Sequence, residues 1–207
     1  MKNSLILFFL LLTGSAGFCQ GPTIIGDSKT QADDDLDENA LKDFNEHAKQ
    51  KVEMFQNYLT IVADKTQPLE KRLAAQRQAE DLFIKGKDIF IEVSSKNSAK
   101  KTKYSVMDYL ERVFNAQGYT QVKITFYDTC LISDWKKVGN GKYESVATIY
   151  QQFEGYFQGK LKYSDRTSKT VELDLDKMRD TNYDSSARAT VLLGNITVEH
   201  TTAVKVN

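Results

Sequence analysis

The sequence predicts an α+β domain in which three N-terminal helices pack on a strongly curved antiparallel sheet. Three observations carry this. Apolar residues recur at spacings of three and four over 39–86 and again over 105–118, the period of a helix with one buried face. From Thr120 onward the period changes to two, that of strands with one wet face. No helical segment interrupts those later strands, so the crossovers that a parallel sheet needs are missing. The domain spans 39–202, with a tail at 203–207. A small open β-barrel behind a helical hairpin is the alternative arrangement.

Ahead of the domain stands an address. Residues 1–19 carry Lys2, an unbroken apolar run over 5–12, and the small residues Gly14, Ser15, Ala16 and Gly17, which is the order of a secretory signal peptide. The run is too short to cross a bilayer as a helix, which takes about 20 residues. Cys19 raises lipoprotein anchoring, but bulky Phe18 precedes it where a lipobox wants a small residue. Plain export to the periplasm or the exterior is the expectation. Residues 20–38 are Gly-, Ser- and Asp-rich and read as a flexible acidic tether.

The first helix is expected over 39–63, with Leu41, Phe44, Ala48, Val52, Phe55, Leu59 and Val62 on one face. The second begins near Pro68, a residue suited to a first turn, and continues a stripe of Leu69, Leu73, Ala79, Leu82 and Phe83 up to Gly86. A short strand over 88–93 is followed by the lysine-rich segment SSKNSAKKTK, read as a solvated loop. Ser105 caps the third helix with Asp108 three residues on, and Gly118 is positioned to end it.

A long strand then places Val122, Ile124, Phe126, Cys130 and Ile132 on one face. Asn140-Gly141 is a hairpin signal, and the strand over 142–157 follows, with Ala147, Ile149 and Phe153 on one face. Gln158-Gly159 offers a further turn. TVELDL alternates with Val171, Leu173 and Leu175 on one side, and the last strand, 189–201, places Leu192, Ile196 and Val198 together.

This order, with stretches such as KYSVMDYLERVF, ITFYDTCLISDW, QFEGYFQGKLKYSD and VLLGNITVEHT, resembles the NTF2-like (cystatin-like) superfamily and its small secreted bacterial members. The resemblance covers about 39–202 and implies a cone whose concave sheet face lines a pocket. Some members of that fold use an acidic residue there for proton transfer.

Composition excludes several functions. Lys+Arg and Asp+Glu both number 28, so no basic excess drives nucleic-acid binding by counterion release. Two Cys and two His leave no disulfide scaffold and no zinc cluster, so neither a metal nor a cofactor is expected. No GxSxG, HExxH or phosphate-binding glycine loop occurs.

Asp128 stands out, because a regular strand would turn its carboxylate toward the apolar face beside Phe126 and Cys130. Buried there, it needs a partner or a raised pKa. The resemblance makes it a candidate general base, and His200, on the parity of Ile196 and Val198, a candidate relay partner. Tyr150, Phe153 and Tyr163, among aromatics that include Trp135, Tyr143, Tyr156 and Phe157, are the candidate ligand-binding residues. His47 flanks the first helix's apolar stripe and suits a boundary residue. Cys130 suits a small buried hydrophobe.

The functional expectation is an exported, non-enzymatic module binding a protein or a small apolar ligand through its concave sheet face. The alternatives are an isomerase or dehydratase-like enzyme using Asp128, and a homodimer that associates through the sheet.

Overall fold

The computed structural model describes residues 37–95, 98–116, 118–139, 141–178 and 188–204. Residues 1–36, on which the expected signal peptide, Cys19 and nearly all of the expected acidic tether fall, lie outside the described residues, as do 179–187 and 205–207.

Helices α1 (Glu38–Ala63), α2 (Leu69–Glu80) and α3 (Val106–Asn115) pack against one sheet of seven strands. The strands are β1 (Phe90–Ser95), β2 (Ser98–Ser105), β3 (Gln121–Ile132), β4 (Lys136–Gly139), β5 (Lys142–Phe157), β6 (Lys160–Met178) and β7 (Arg188–Ala203). Their order is β2-β1-β7-β6-β5-β3, with β4 also paired to β5, so the sheet is curved but not closed into a barrel.

Helix starts follow local chemistry. Asp37 caps α1 by accepting from the Ala40 N–H at 2.7 Å. Ser105 Oγ accepts from the Asp108 N–H at 3.1 Å, the cap that the sequence predicts, and its hydroxyl donates to the Asp108 carboxylate at 2.8 Å. The end of α3 differs from expectation. Ala116, not Gly118, takes the left-handed conformation at the cap (φ 50°), and Gly118 (φ 84°) makes a second left-handed turn.

The expected stripe of α2 is half wrong. Leu69 and Leu73 are 61% and 39% exposed, whereas Arg72, Ala75, Gln76 and Ala79 form the buried face. The reason lies in Arg72. Its guanidinium donates to the Val62 carbonyl at 2.9 and 2.7 Å and to the Phe114 carbonyl at 2.5 Å, and it stacks 4.1 Å from the Phe114 ring centroid. One cation thereby satisfies carbonyls near the C-terminal ends of α1 and α3, where helix dipoles favour positive charge. Rotating Leu69 and Leu73 inward would break that arrangement.

The lysine-rich segment is a strand and not a loop. β2 pairs antiparallel with β1, Ile91 opposite Tyr104 and Val93 opposite Thr102. As an edge strand its lysines deter further pairing, and Lys103 Nζ lies 3.8 Å from the Phe90 ring centroid. The sheet is also not wholly antiparallel. β1 runs parallel to β7 at Ile91 and Ile196. Side chains complete that junction: Asn195 Oδ1 accepts from the Phe90 N–H, and Glu92 Oε2 from the Val198 N–H, each at 3.1 Å.

Two irregularities rotate β7. A register shift between the pairs Val171–Ile196 and Leu173–Leu193 accommodates Gly194-Asn195, so Val191 and Leu193 face inward with Ile196 and Val198. Leu192 therefore faces away from the core, contrary to simple alternation. The Gln158-Gly159 turn joins β5 to β6 with both residues at positive φ (50° and 75°), as tight hairpins require.

The core lies between α1, α2 and one half of the sheet. It is built from Val52, Phe55, Leu59, Val62, Phe83, Ala147, Ile149, Val171, Leu173, Leu175, Leu193 and Ile196, all essentially buried. No helix among the described residues is long and apolar enough to cross a membrane.

Candidate functional site

Strand β6 changes character along its inner face. Val171, Leu173 and Leu175 enter the core, while Lys169, Thr167, Asp165 and Tyr163 continue the same parity toward the hairpin. Opposite them on β5 stand Ile149, Gln151, Phe153 and Gly155 in register. Helix α3 covers this half of the sheet with Tyr109, Arg112, Val113 and Ala116, which share one face by their helical spacing. Val93, Ser94 and Ser95 of β1 close one side. The space left between is a cavity of about 320 Å³.

Its floor is polar and buried. Asp165, Lys169, Gln151 and Thr167 are 4%, 5%, 6% and 6% exposed. Tyr163 donates its hydroxyl hydrogen to Asp165 and lies 3.2 Å from Ser95 Oγ. The Ser94 and Thr201 hydroxyls are hydrogen-bonded, and Thr167 Oγ1 is 3.4 Å from Thr201 Oγ1.

Asp165 and Lys169 are four residues apart on one strand, which sets their Cα atoms about 13 Å apart. They mark the two ends of the floor. Lys169 borders the apolar core, with Nζ 5.4 Å from the Tyr109 ring centroid. Among the described residues no hydrogen bond or ion pair reaches it. Burial pushes its pKa down to about 8, with the Asp165 charge opposing. Burial pushes the Tyr109 and Tyr119 hydroxyls up, reinforced by Asp165, so both stay protonated.

One wall is aromatic. Tyr119, Phe153 and Tyr163 meet with ring centroids 5.9 to 6.4 Å apart, edge-on or tilted. Tyr119 reaches this position because Gly155 has no side chain: a Cβ there would lie 2.5 Å from Tyr119 Cε1. The turn that presents Tyr119 is held by its N–H to the Ala116 carbonyl at 2.8 Å and by the Thr120 N–H to the Tyr156 carbonyl at 2.9 Å.

The cavity gathers some of the expected residues and not others. Phe153 and Tyr163 line it together. Tyr150 does not: its even parity on β5 puts it on the outer face, 38% exposed. Asp128 falls where β3 loses register with β5, between Tyr127 and Leu131, so the regular alternation that aimed it inward is interrupted. Its side chain lies outside the described residues.

His200 is exposed on the outer face. A register shift around Glu199 pairs it with Ser168 and hands the inward position to Thr201. Tyr127, Tyr150, Ser168 and His200 form one row across the sheet, which separates the backbone at 127 from that at 200 by about 14 Å, three strand spacings.

Trp135 is buried elsewhere, donating from Nε1 to Asn45 Oδ1 at 2.8 Å. Cys130 lines a separate, polar groove between α1 and β3, where burial and Glu53 push its thiol pKa up, against the thiolate a nucleophile needs. The His47 ring packs against Phe44 at 5.9 Å, as a boundary residue does. Among the described residues no group of three His, Cys, Asp or Glu side chains could hold a metal.

Asp165, Lys169, Thr167, Gln151, Tyr109 and Tyr119 escaped the sequence reading. The signal was present in β6. Extending the parity of TVELDL backward through KYSDRTSK, which contains no Gly or Pro, puts Lys169, Thr167, Asp165 and Tyr163 on the inner face.

No protein-family model matches the chain, and no curated protein matches it. Among solved structures, a Novosphingobium aromaticivorans protein provisionally designated a scytalone dehydratase is 10% identical over 80% of this chain and 93% of that one, with a TM-score of 0.40. Kfla4162 from Kribbella flavida is 10% identical over 77% and 95%, with a TM-score of 0.41. Hexachlorocyclohexane dehydrochlorinase LinA-type3 from Novosphingobium barchaimii is 12% identical over 78% and 94%, with a TM-score of 0.39. In layout the chain is α+β, three helices against one curved, unclosed sheet, with the cavity between α3, β1 and the inner face of β5 and β6.

Proposed function

We propose that the chain is an exported binding module whose concave cavity takes a small organic molecule with an apolar or aromatic body and one polar end. The observation that carries this reading is the switch on the inner face of β6 from Val171, Leu173 and Leu175 to Lys169, Thr167 and Asp165 where the cavity opens. A strand that only packs a core has no use for a buried lysine and a buried carboxylate, each of which opposes folding. A cavity of about 320 Å³ with apolar walls and a few convergent polar groups is the form of a small-molecule site. The aromatic wall of Tyr119, Phe153 and Tyr163 suits a ring or short chain, and Lys169 and Asp165 supply two different polar ends. Export rests on residues 1–19.

The test uses benzyl alcohol as probe and saturation-transfer NMR as readout, on the intact protein and on Gly155→Ala. The substitution forces the Tyr119 ring from its place without touching any charge. Binding to the intact protein, weakened about tenfold or more in the variant, is the expected result, since a misplaced ring costs about 1–3 kcal/mol. Equal signals in both proteins, or none in either, would overturn the reading.

A further inference from the structure

We propose that Lys169 captures carbonyl compounds in the cavity as a reversible imine, so that the ligand class of this site is a small aldehyde or ketone with an apolar body. The inference rests on the binding reading above and deepens it. Lys169 is 5% exposed and lines the cavity at its inner end. Among the described residues it has no ion pair to hold it in the ammonium form.

Every element packed around it bears on its charge. Helix α3 contributes Tyr109, whose ring lies 5.4 Å from Nζ, and the cation Arg112 on the cavity lining. Strand β6 contributes Asp165 and Tyr163 toward the mouth, the turn before β3 contributes Tyr119, and β5 and β1 offer only the uncharged Gln151, Ser94 and Ser95. Burial keeps the Tyr109 and Tyr119 hydroxyls protonated, so Asp165 is the anion on the described lining, and its charge acts on Lys169 against the effect of burial.

Two ligand chemistries could use such an amine, a carboxylate and a carbonyl. A carboxylate would have to be desolvated against the same apolar wall and would share the cavity with Asp165, a like charge. A carbonyl escapes both costs. Its capture also removes the buried ammonium, whose desolvation Asp165 only partly offsets, because a neutral imine replaces it. The amine's reactive form is accessible: with a pKa of about 8, about one molecule in ten carries neutral Lys169 at pH 7, against about one in three thousand for an ordinary lysine.

The step balances without a redox partner. The amine lone pair forms the C–N bond to the carbonyl carbon. Both amine hydrogens then leave with the carbonyl oxygen as one water molecule, giving C=N, and addition of water reverses the step. The walls formed by Tyr119, Phe153 and Tyr163 would seat the carbonyl's substituent.

The experiment treats the protein with benzaldehyde and sodium cyanoborohydride, which reduces an imine to a stable secondary amine, and maps the benzylated lysines by peptide mass spectrometry. Expected at pH 7 is labelling of Lys169 about tenfold or more faster than of the exposed Lys85 and Lys87, levelling off above about pH 8 while the exposed lysines keep gaining. Benzyl alcohol should slow labelling at Lys169 only, and Lys169→Met should remove that one site. Labelling that follows exposure, with benzyl alcohol still bound by NMR, overturns the imine and leaves the binding reading standing. Labelling that follows exposure with no benzyl alcohol bound overturns both.

Discussion

Replacing Lys169 by Met tests the energetics of the cavity floor directly. The side chains are similar in volume, so little packing changes. Holding the ammonium where its pKa falls from 10.5 to about 8 costs the folded state about 3 kcal/mol at neutral pH. Against this, Met forfeits the cation–π contact with Tyr109, worth about 1 kcal/mol. The variant should therefore be more stable than the parent at pH 7 by about 2 kcal/mol, a gain of about 4–8 °C in Tm for a domain of this size.

The sign of the pH dependence follows from the direction of the shift. The folded pKa lies below the unfolded one, so between about 8 and 10.5 the unfolded chain binds more protons and parental stability rises with pH. Below about 8 the penalty is complete, and above 10.5 it is gone. Urea unfolding of both proteins at pH 7 and pH 10 should show the advantage of Met shrinking by about 2 kcal/mol. A variant less stable than the parent at pH 7, or a difference that is the same at both pH values, would refute the reasoning.

Three further outcomes follow from particular contacts. Arg72→Met strips donors from the Val62 and Phe114 carbonyls and should cost about 3 kcal/mol in urea unfolding. Arg72→Lys should recover only part of this, because a single ammonium lacks the planar fork. Ser105→Ala removes the α3 cap and should cost about 1 kcal/mol, read as a lower midpoint in thermal circular dichroism. Gly155→Ala should lower stability by about 1–3 kcal/mol as Tyr119 is displaced, alongside the loss of benzyl alcohol binding expected above.

Periodicity was a sound guide along α1 and β5, but not along α2, where Leu69 and Leu73 are exposed. In the α1 stripe Ala48, Val52, Phe55, Leu59 and Val62 are buried and Leu41 and Phe44 half-buried, and in the β5 set Ala147 and Ile149 are buried and Phe153 half-buried. It failed where one or two inserted residues changed the parity. His200 seemed to share a face with Ile196 and Val198, yet a shift at Glu199 turns it to solvent. Leu192 was misassigned by the shift at Gly194-Asn195, and Asp128 sits within a third such interruption. A bulge depends on how two distant strands align, which local sequence does not encode. Arg72 shows another limit, since its buried role requires two carbonyls from other helices. The α+β layout could be read from element order, but the cavity floor could not be found by looking for apolar strands, because polar residues built it.

That polar floor explains how the two halves of the sheet divide their tasks. Leu173, Leu175, Ile196 and Leu193 are buried against the helices and supply hydrophobic stabilisation of about 2 kcal/mol each. On the same inner face a few residues along, Lys169, Thr167, Asp165 and Gln151 are also buried, and burial of the Lys169 ammonium opposes folding. If that half existed only to pack, apolar residues of equal volume would serve it better. A destabilising ammonium beside a cavity is what the proposed binding role would leave behind, with stability held only above a threshold. The two halves should therefore answer apolar substitution oppositely. Truncation in the core should weaken the protein, while removal of the Lys169 charge from the floor should strengthen it.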